Sequence, residues 1–190
     1  FSKTDMISFI SAGRVETLPG FDEKHIGPAS IDITVANSEA YRVERLMRPS
    51  GKRREKVRDM LPALGAQRIE LGSILVPGEK YIAPATICPN FPPGMYGYSN
   101  AKSTSGRNMC LVRTLADHVE GYDTLDRKWE GWNGELWLTI EPLVFPILLT
   151  DKECYSQVRI FDGDTRFSDN DLKHELAKQD LLYRQDGSRY

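Results

Sequence analysis

Cysteine and histidine are scarce, with three of each in 190 residues. Cys88, Cys110 and Cys154 are odd in number and widely spaced, so they make no disulfide framework, and a reducing cytoplasm is the simpler setting. No C-x-x-C pair occurs, and His25, His118 and His174 lie far apart, which excludes the usual zinc spacings. No apolar run approaches the roughly 20 residues that cross a bilayer as a helix. The longest, Leu143 to Leu149, is interrupted by Pro146 and reads as a buried strand. Charge of one sign is lacking too: the formal net charge is −2, so nothing global attracts nucleic acid or an anionic membrane, and neither is expected as a partner. Any polyanion site has to be local. There is no internal repeat and no low-complexity segment.

What is present is a globular composition, 40% apolar and 27% charged, long enough for one domain with a real core. Thr4 to Ala12 reads as a short helix that Ser2 or Thr4 caps, with Met6, Ile7 and Ile10 on one face and Gly13 at its end. Ala29 to Val35 alternates apolar and polar, the pattern of a half-buried strand. Residues 48 to 60 hold Arg48, Lys52, Arg53, Arg54, Lys56 and Arg58 between Pro49-Ser50-Gly51 and Pro62. This stretch reads as an exposed loop with a short helix: either a solvated insert or a patch for phosphate or a partner. From Arg68 onward short strands recur between Gly and Pro turns: Gln67 to Leu71, Ile74 to Val76, Tyr81-Ile82, Met95 to Tyr98, Val112, Leu136 to Ile140, Val144 to Leu149 and Val158 to Phe161. That spacing predicts a sandwich or barrel. Ser168 caps a predicted helix through Lys178, and the polar end from Arg184 to Tyr190 reads as a linker. The expected organisation is a β domain over 1–165 and a helical linker or tail over 166–190. The linker-like end makes this chain the expected first half of a longer protein, and the opening on Phe1 rather than Met leaves an earlier start expected.

The stretch richest in chemistry is Ser99-Asn100-Ala101-Lys102-Ser103-Thr104-Ser105-Gly106-Arg107. Hydroxyls and backbone N–H groups can wrap phosphate oxygens, Gly106 lets backbone approach closely, and Lys102 and Arg107 supply charge, Arg with a bidentate fork. Its spacing is not that of a Walker loop, and no alternation of strand and long helix makes it a Rossmann fingerprint. On pattern alone a polar turn capping a short helix fits equally.

Lys102-Ser103-Thr104-Ser105-Gly106-Arg107 resembles the phosphate-binding motif of dCTP deaminases, Arg/Lys-Ser-Ser-x-x-Arg. Four further segments resemble that family in the right order. They are Asp5-Met6-Ile7 through Gly13-Arg14-Val15, Ile26-Gly27-Pro28-Ala29-Ser30-Ile31-Asp32-Ile33, Trp132-Asn133-Gly134-Glu135-Leu136-Trp137-Leu138 and Tyr155-Ser156-Gln157-Val158-Arg159-Ile160-Phe161. The likeness is closest to the first half of the long, two-half form of the deaminase. It implies an all-β fold, a distorted β-barrel of the dUTPase type, here with a short N-terminal helix, an inserted basic helix and loop and a C-terminal helix. It also implies a homotrimer, or a pseudo-trimer with a second half, with sites between subunits. Further implications are a dCTP or dUTP ligand, Mg²⁺ travelling with the triphosphate, and hydrolytic deamination of dCTP to dUTP and ammonia without zinc, in pyrimidine deoxynucleotide biosynthesis. The His-x-Glu and Pro-Cys-x-x-Cys pair of zinc deaminases is missing here.

In that family a glutamate acts as general base on water at C4 of cytosine, assisted by a serine and an arginine of the phosphate motif. By position, Ser103 and Thr104 match the motif hydroxyls, Lys102 its first cation and Arg107 its arginine. Gln157 matches a phosphate-contacting glutamine, and Asp117 falls near the segment that reads base or sugar, though it reads equally as a loop acid. His118 is a base contact or a loop histidine, Trp129 and Trp132 stack on a base or pack in the core, and Asp32 reads as structural. The glutamate is the departure. Counting five from Gly134 reaches Thr139, which cannot serve as a carboxylate base. Strand alternation puts Glu135, Trp137, Thr139 and Glu141 on one face, so Glu141 is the candidate base if a bulge draws it back about 7 Å. The readings are a dCTP deaminase with Glu141, Ser103 and Arg107 catalytic, a catalytically silent nucleotide-binding or trimer-forming half, or a dUTP diphosphatase using Asp117 or Asp123.

Overall fold

The computed structural model describes residues 1–126, 130–163, 165–178 and 183–188. Helix α1 (Lys3–Ser11) opens on a reciprocal cap in which Ser2 and Asp5 each bond the other's backbone N–H. Met6 and Phe9 are buried, Ile10 packs against the core, and Gly13 ends the helix in a left-handed conformation. The apolar face is therefore Met6, Phe9 and Ile10, and the expected Ile7 is exposed, because its position points away from the i, i+3, i+4 stripe.

The strands that follow are β1 (Val15–Thr17), β2 (Ile31–Ile33), β3 (Ala40–Val43), β4 (Gln67–Ile69), β5 (Ile74–Leu75), β6 (Lys80–Pro84), β7 (Ile87–Phe91), β8 (Met95–Ala101), β9 (Cys110–Ala116), β10 (Thr124–Leu125), β11 (Trp132–Asn133), β12 (Leu136–Pro142), β13 (Ile147–Leu148) and β14 (Ser156–Asp162). Between them lie α2 (Val57–Met60) and α3 (Ser103–Arg107), and α4 (Asp169–Lys178) comes last. The described pairings between strands are all antiparallel, in sheets ordered β1-β7-β11, β10-β8-β14-β2, β4-β3-β6-β12-β9 and β13-β5. The main core lies between them: Ile31, Ile33, Val158 and Ile160 from one sheet face Val112, Leu136, Leu138 and Ile140 from another.

The basic stretch does more than expected. Its charges do face solvent, Lys52, Arg53, Arg54 and Lys56 among them, but its apolar residues build a second core. Val57, Met60, Leu61 and Leu64 pack on Trp137, Leu115 and Ile82, which project from the side of the five-stranded sheet opposite the main core. Strands β6 and β12 are thus covered on both faces as far as Thr139, as is β9 at Leu115, whereas Leu111 and Arg113 of β9 are exposed. The insert is pinned through Asp117, a 2% exposed carboxylate that accepts from Val57 N–H at 2.8 Å and Glu135 N–H at 3.1 Å. Arg58 adds bonds to Glu39 at 2.8 Å and Glu135 at 3.0 Å and lies over the Trp137 ring. Gly134 permits the Asp117 contact, since a Cβ there would stand 2.7 Å from the Asp117 Cβ.

The expectation of a buried strand over Leu143 to Leu149 is corrected. Only Ile147–Leu148 is a strand, and Leu143, Val144, Phe145 and Leu148 are exposed. Pro142, where β12 ends, and Pro146 both lack a ladder donor, and the residues between them lie outside the sheets. Ser168 caps α4 as expected, bonding reciprocally with Asp171, but α4 buries none of its residues.

Two outcomes follow from the second core. Leu64→Ala should lower stability by about 2–5 kcal/mol, read as a shift in the urea unfolding midpoint, because Leu64 is fully buried. Burial also pushes the Asp117 carboxyl above its ordinary pKa, against the pull of the Val57 and Glu135 N–H groups. With the folded value above the unfolded one, this contribution to stability is full below the unfolded pKa and is lost as pH rises through the folded pKa. Asp5, Asp22, Glu39 and Glu79 lie below their ordinary pKa values and add the opposite slope, so the decline is read as a difference: the urea midpoint of the parent minus that of Asp117→Asn should fall from acid to neutral pH, and parallel profiles would mean that Asp117 titrates alike in both states.

Candidate functional site

Lys102, Ser103, Thr104 and Arg107 come together where β8 runs into α3. Lys102 is the residue before the first turn, its backbone extended, and no side chain caps the helix. Ser103, Thr104 and Arg107 are exposed, and among the described residues Arg107 bonds the Thr104 hydroxyl at 3.2 Å. Ser105 is buried and anchors the helix to the Tyr155 carbonyl at 3.1 Å. Gly106 serves no tight turn in this chain, and a Cβ there would meet nothing within 4 Å, so the space before it is open.

Gln157 belongs to the same surface. Asp32, Gln157 and Asn100 lie side by side across β2, β14 and β8 and so project from one face. Lys102 reaches back to this row and bonds Asp32 at 2.7 Å, while Ser30 meets Gln157 at 3.4 Å. The partnership of Asp32 with Lys102, and the place of Asn100 in the row, were not read from the sequence. The available signal was the two-residue spacing of Asn100 and Lys102 on a strand. A groove of about 410 Å³ runs beside α3, between Thr104 and Asn108 on one side and Phe145, Pro146 and Leu148 on the other. Cys110 and Cys154 line it as well, and burial pushes both thiols up, Cys110 to about 11, so neither is a ready nucleophile.

Asp117 is not in this group. It lies on a different cavity, of about 610 Å³, with Lys56, Asn90, His118, Asn133 and Glu135, and both its oxygens are already bonded to the chain's own N–H groups. His118 is half-buried in a left-handed conformation, with a buried Nδ1 that has no partner among the described residues. Trp132 is 3% exposed, donates to the Asp117 carbonyl and packs on Phe91, so it is a core residue rather than a base platform. Trp129 lies outside the described residues.

The face of β12 is as expected, with Trp137 and Thr139 opposite to Leu136, Leu138 and Ile140. The bulge is not there. From Leu136↔Ala116 to Pro142↔Cys110 the register with β9 advances one for one, so Glu141 stands opposite Leu111 and Thr139 opposite Arg113. Glu141 therefore remains two residues, about 7 Å, from the position of Thr139. Thr139 itself is 3% exposed and donates to the Arg113 carbonyl at 3.3 Å. Beside it, Arg113 is paired with Asp123, whose other oxygen accepts from Thr114 N–H at 2.8 Å, and Tyr122 lies between the Arg48 and Arg113 guanidinium groups.

This arrangement matches known proteins. The model of the 2′-deoxycytidine 5′-triphosphate deaminase (DCD) N-terminal domain matches residues 1–164. Among solved structures, the chain resembles the 2′-deoxycytidine 5′-triphosphate deaminase from Agrobacterium tumefaciens at 25% identity and a TM-score of 0.77, covering 97% of this chain and 54% of that one. The chain therefore spans about half the length of that relative. It also resembles the EIAV dUTPase at 18% identity and a TM-score of 0.38, over 50% of this chain and 72% of that one. A search of the curated proteins gives no match. The mostly β fold thus agrees with the fold class expected from the sequence, and the chain belongs to the family of dCTP deaminase N-terminal domains.

Proposed function

We propose that the protein is a dCTP deaminase, converting dCTP and water to dUTP and ammonia, and that this domain holds the triphosphate of the nucleotide. The observation that carries the reading is the α3 motif. Ser103, Thr104 and the Arg107 fork are exposed together, with Lys102 and Gln157 on the adjoining face. Charge-assisted bonds from such groups are the strong ones available to phosphate oxygens. Mg²⁺ enters with the triphosphate, as a hard cation held by phosphate oxygens.

The chemical step needs a carboxylate that takes a proton from water as the oxygen adds to C4, after which the amino nitrogen leaves protonated as ammonia. The regular β12 register favours a second statement about this domain, that Glu141 is not that base. About 1 Å of misplacement already costs roughly a hundredfold, and the offset here is far larger. The base then comes from outside the domain, and the domain is the nucleotide-binding, assembly-forming half of the enzyme. Diphosphatase chemistry is less well supported, because both oxygens of Asp117 and of Asp123 are engaged by the chain itself. Met109, Leu111, Leu143, Val144 and Phe145 are exposed together where β9 begins and β12 ends, which suits assembly into a homotrimer or a pseudo-trimer with a second half. The expected setting is cytoplasmic; no helix among the described residues is long and apolar enough to cross a membrane.

Ammonia release and Mg²⁺–dCTP binding, measured on the 190-residue chain and on Arg107→Ala and Glu141→Gln, test this. Arg107→Ala should weaken binding by about tenfold or more, the loss expected for charge-assisted bonds of about 1.5–3 kcal/mol. Glu141→Gln should bind as the parent does. Ammonia release by the parent that disappears in Glu141→Gln would instead make Glu141 the base and this domain an enzyme by itself.

A further inference from the structure

We propose that Asp32 is a positioning residue that, through Lys102, makes the α3 site prefer a triphosphate to a shorter phosphate chain; this rests on the reading of α3 as a triphosphate site. Lys102 is held at both ends. Its backbone N–H donates to the Tyr155 carbonyl at 3.0 Å, and the Ser105 hydroxyl of α3 donates to the same carbonyl at 3.1 Å. Its ammonium donates to the Asp32 carboxylate at 2.7 Å, where the two side chains are only 28% and 24% exposed. No second cation competes for Asp32 among the described ion pairs, since the nearby Lys24 is taken by Asp22 at 2.8 Å.

The pair reaches across the sheet. Gln157 of β14 stands opposite Asn100 of β8 on one side and Asp32 of β2 on the other. Lys102 follows the end of β8, so its side chain crosses β14 to reach β2. Neighbouring strands lie about 4.8 Å apart, which sets the ammonium roughly 5–10 Å from the line of β8, where α3 begins. It comes to rest beside Gln157. The amide oxygen of Gln157 accepts from the Ser30 hydroxyl at 3.4 Å, and among the described residues its amide N–H donors have no acceptor.

Anion-binding groups therefore stand at two distances. The near set is the Ser103 and Thr104 hydroxyls with the Arg107 fork, and the far set is the Lys102 ammonium with the Gln157 amide. A phosphate chain long enough to touch both gains the charge-assisted bonds of the far set, and a shorter one does not. Asp32 decides where the far set is. A lysine side chain has many rotamers and loses that freedom when it binds. Asp32 fixes the ammonium before a ligand arrives, so the loss is not taken from the binding energy. The carboxylate also repels phosphate, but the ammonium stands between it and α3, and the nearer charge dominates.

Calorimetric titration of the 190-residue chain with the Mg²⁺ complexes of inorganic tripolyphosphate and pyrophosphate tests the proposal. Asp32→Asn, Lys102→Met, the double variant and Arg107→Ala are run alongside. The parent should bind tripolyphosphate about tenfold or more tighter than pyrophosphate, the worth of a charge-assisted contact. Asp32→Asn and Lys102→Met should each cut that margin to about threefold or less, and the double variant should cut it no further than Lys102→Met does. A parent margin below about threefold, a full margin kept in Asp32→Asn, or an equal loss of both anions there would overturn the positioning role. So would an Asp32→Asn loss that persists in full on top of Lys102→Met, since Asp32 would then act on the ligand or its metal directly. These outcomes leave the triphosphate site standing so long as Arg107→Ala weakens both anions. Binding that is absent, or indifferent to Arg107, would overturn the triphosphate site itself and this proposal with it.

Discussion

The buried carboxylate of Asp117 is the joint on which much of this domain depends. One oxygen takes the first N–H of α2 and the other takes the N–H of Glu135 at the head of β12, so one side chain ties the insert to the paired strands β9 and β12. The charge is costly to bury, as its raised pKa records, and two N–H donors offset that cost. Gly134 leaves the room that this contact needs. The insert thereby becomes a fixed second layer on the sheet rather than a mobile loop, and everything said about the face of Thr139 follows from that layer.

With the layer in place, two surfaces that the family resemblance assigns to one task are treated differently. The stretch from Lys102 to Arg107 stays open: Ser103, Thr104 and Arg107 face solvent, and the row of Asp32, Gln157 and Asn100 continues that surface. The strand face that would carry the base is closed, with Trp137 at its centre. A threonine at position 139 suits that closure. It can be buried while its hydroxyl bonds the Arg113 carbonyl, whereas a carboxylate there would lack solvent and has no cation assigned to it, since Arg113 is already paired with Asp123.

Much of this was legible in the chain. The order of short strands between Gly and Pro turns, the cap at Ser2, the helix after Ser168 and the alternation along β12 are local signals, and they hold. The misreadings have a common cause. Apolarity alone puts Ile7 on the buried face of α1 and Leu143 to Leu149 in a buried strand, but what lies opposite a residue is not a local property. The basic stretch was read through its charges, although Val57, Met60, Leu61 and Leu64 between them carry the packing. A signal was present in β12, where Leu136 to Ile140 is apolar but for Thr139, the mark of a strand covered on both sides.

The sequence by itself determined the class of the fold and the family, because backbone preferences, side-chain periodicity and compact motifs act over a few residues. Only the tertiary structure decided that β12 runs without a bulge, that Asp117 is spent on the chain's own N–H groups, and that the insert closes the face of Thr139. Those are questions of register, of hydrogen-bond partners 18 and 60 residues away, and of which apolar surface meets which. Such contacts depend on the whole chain being folded, and no local pattern contains them.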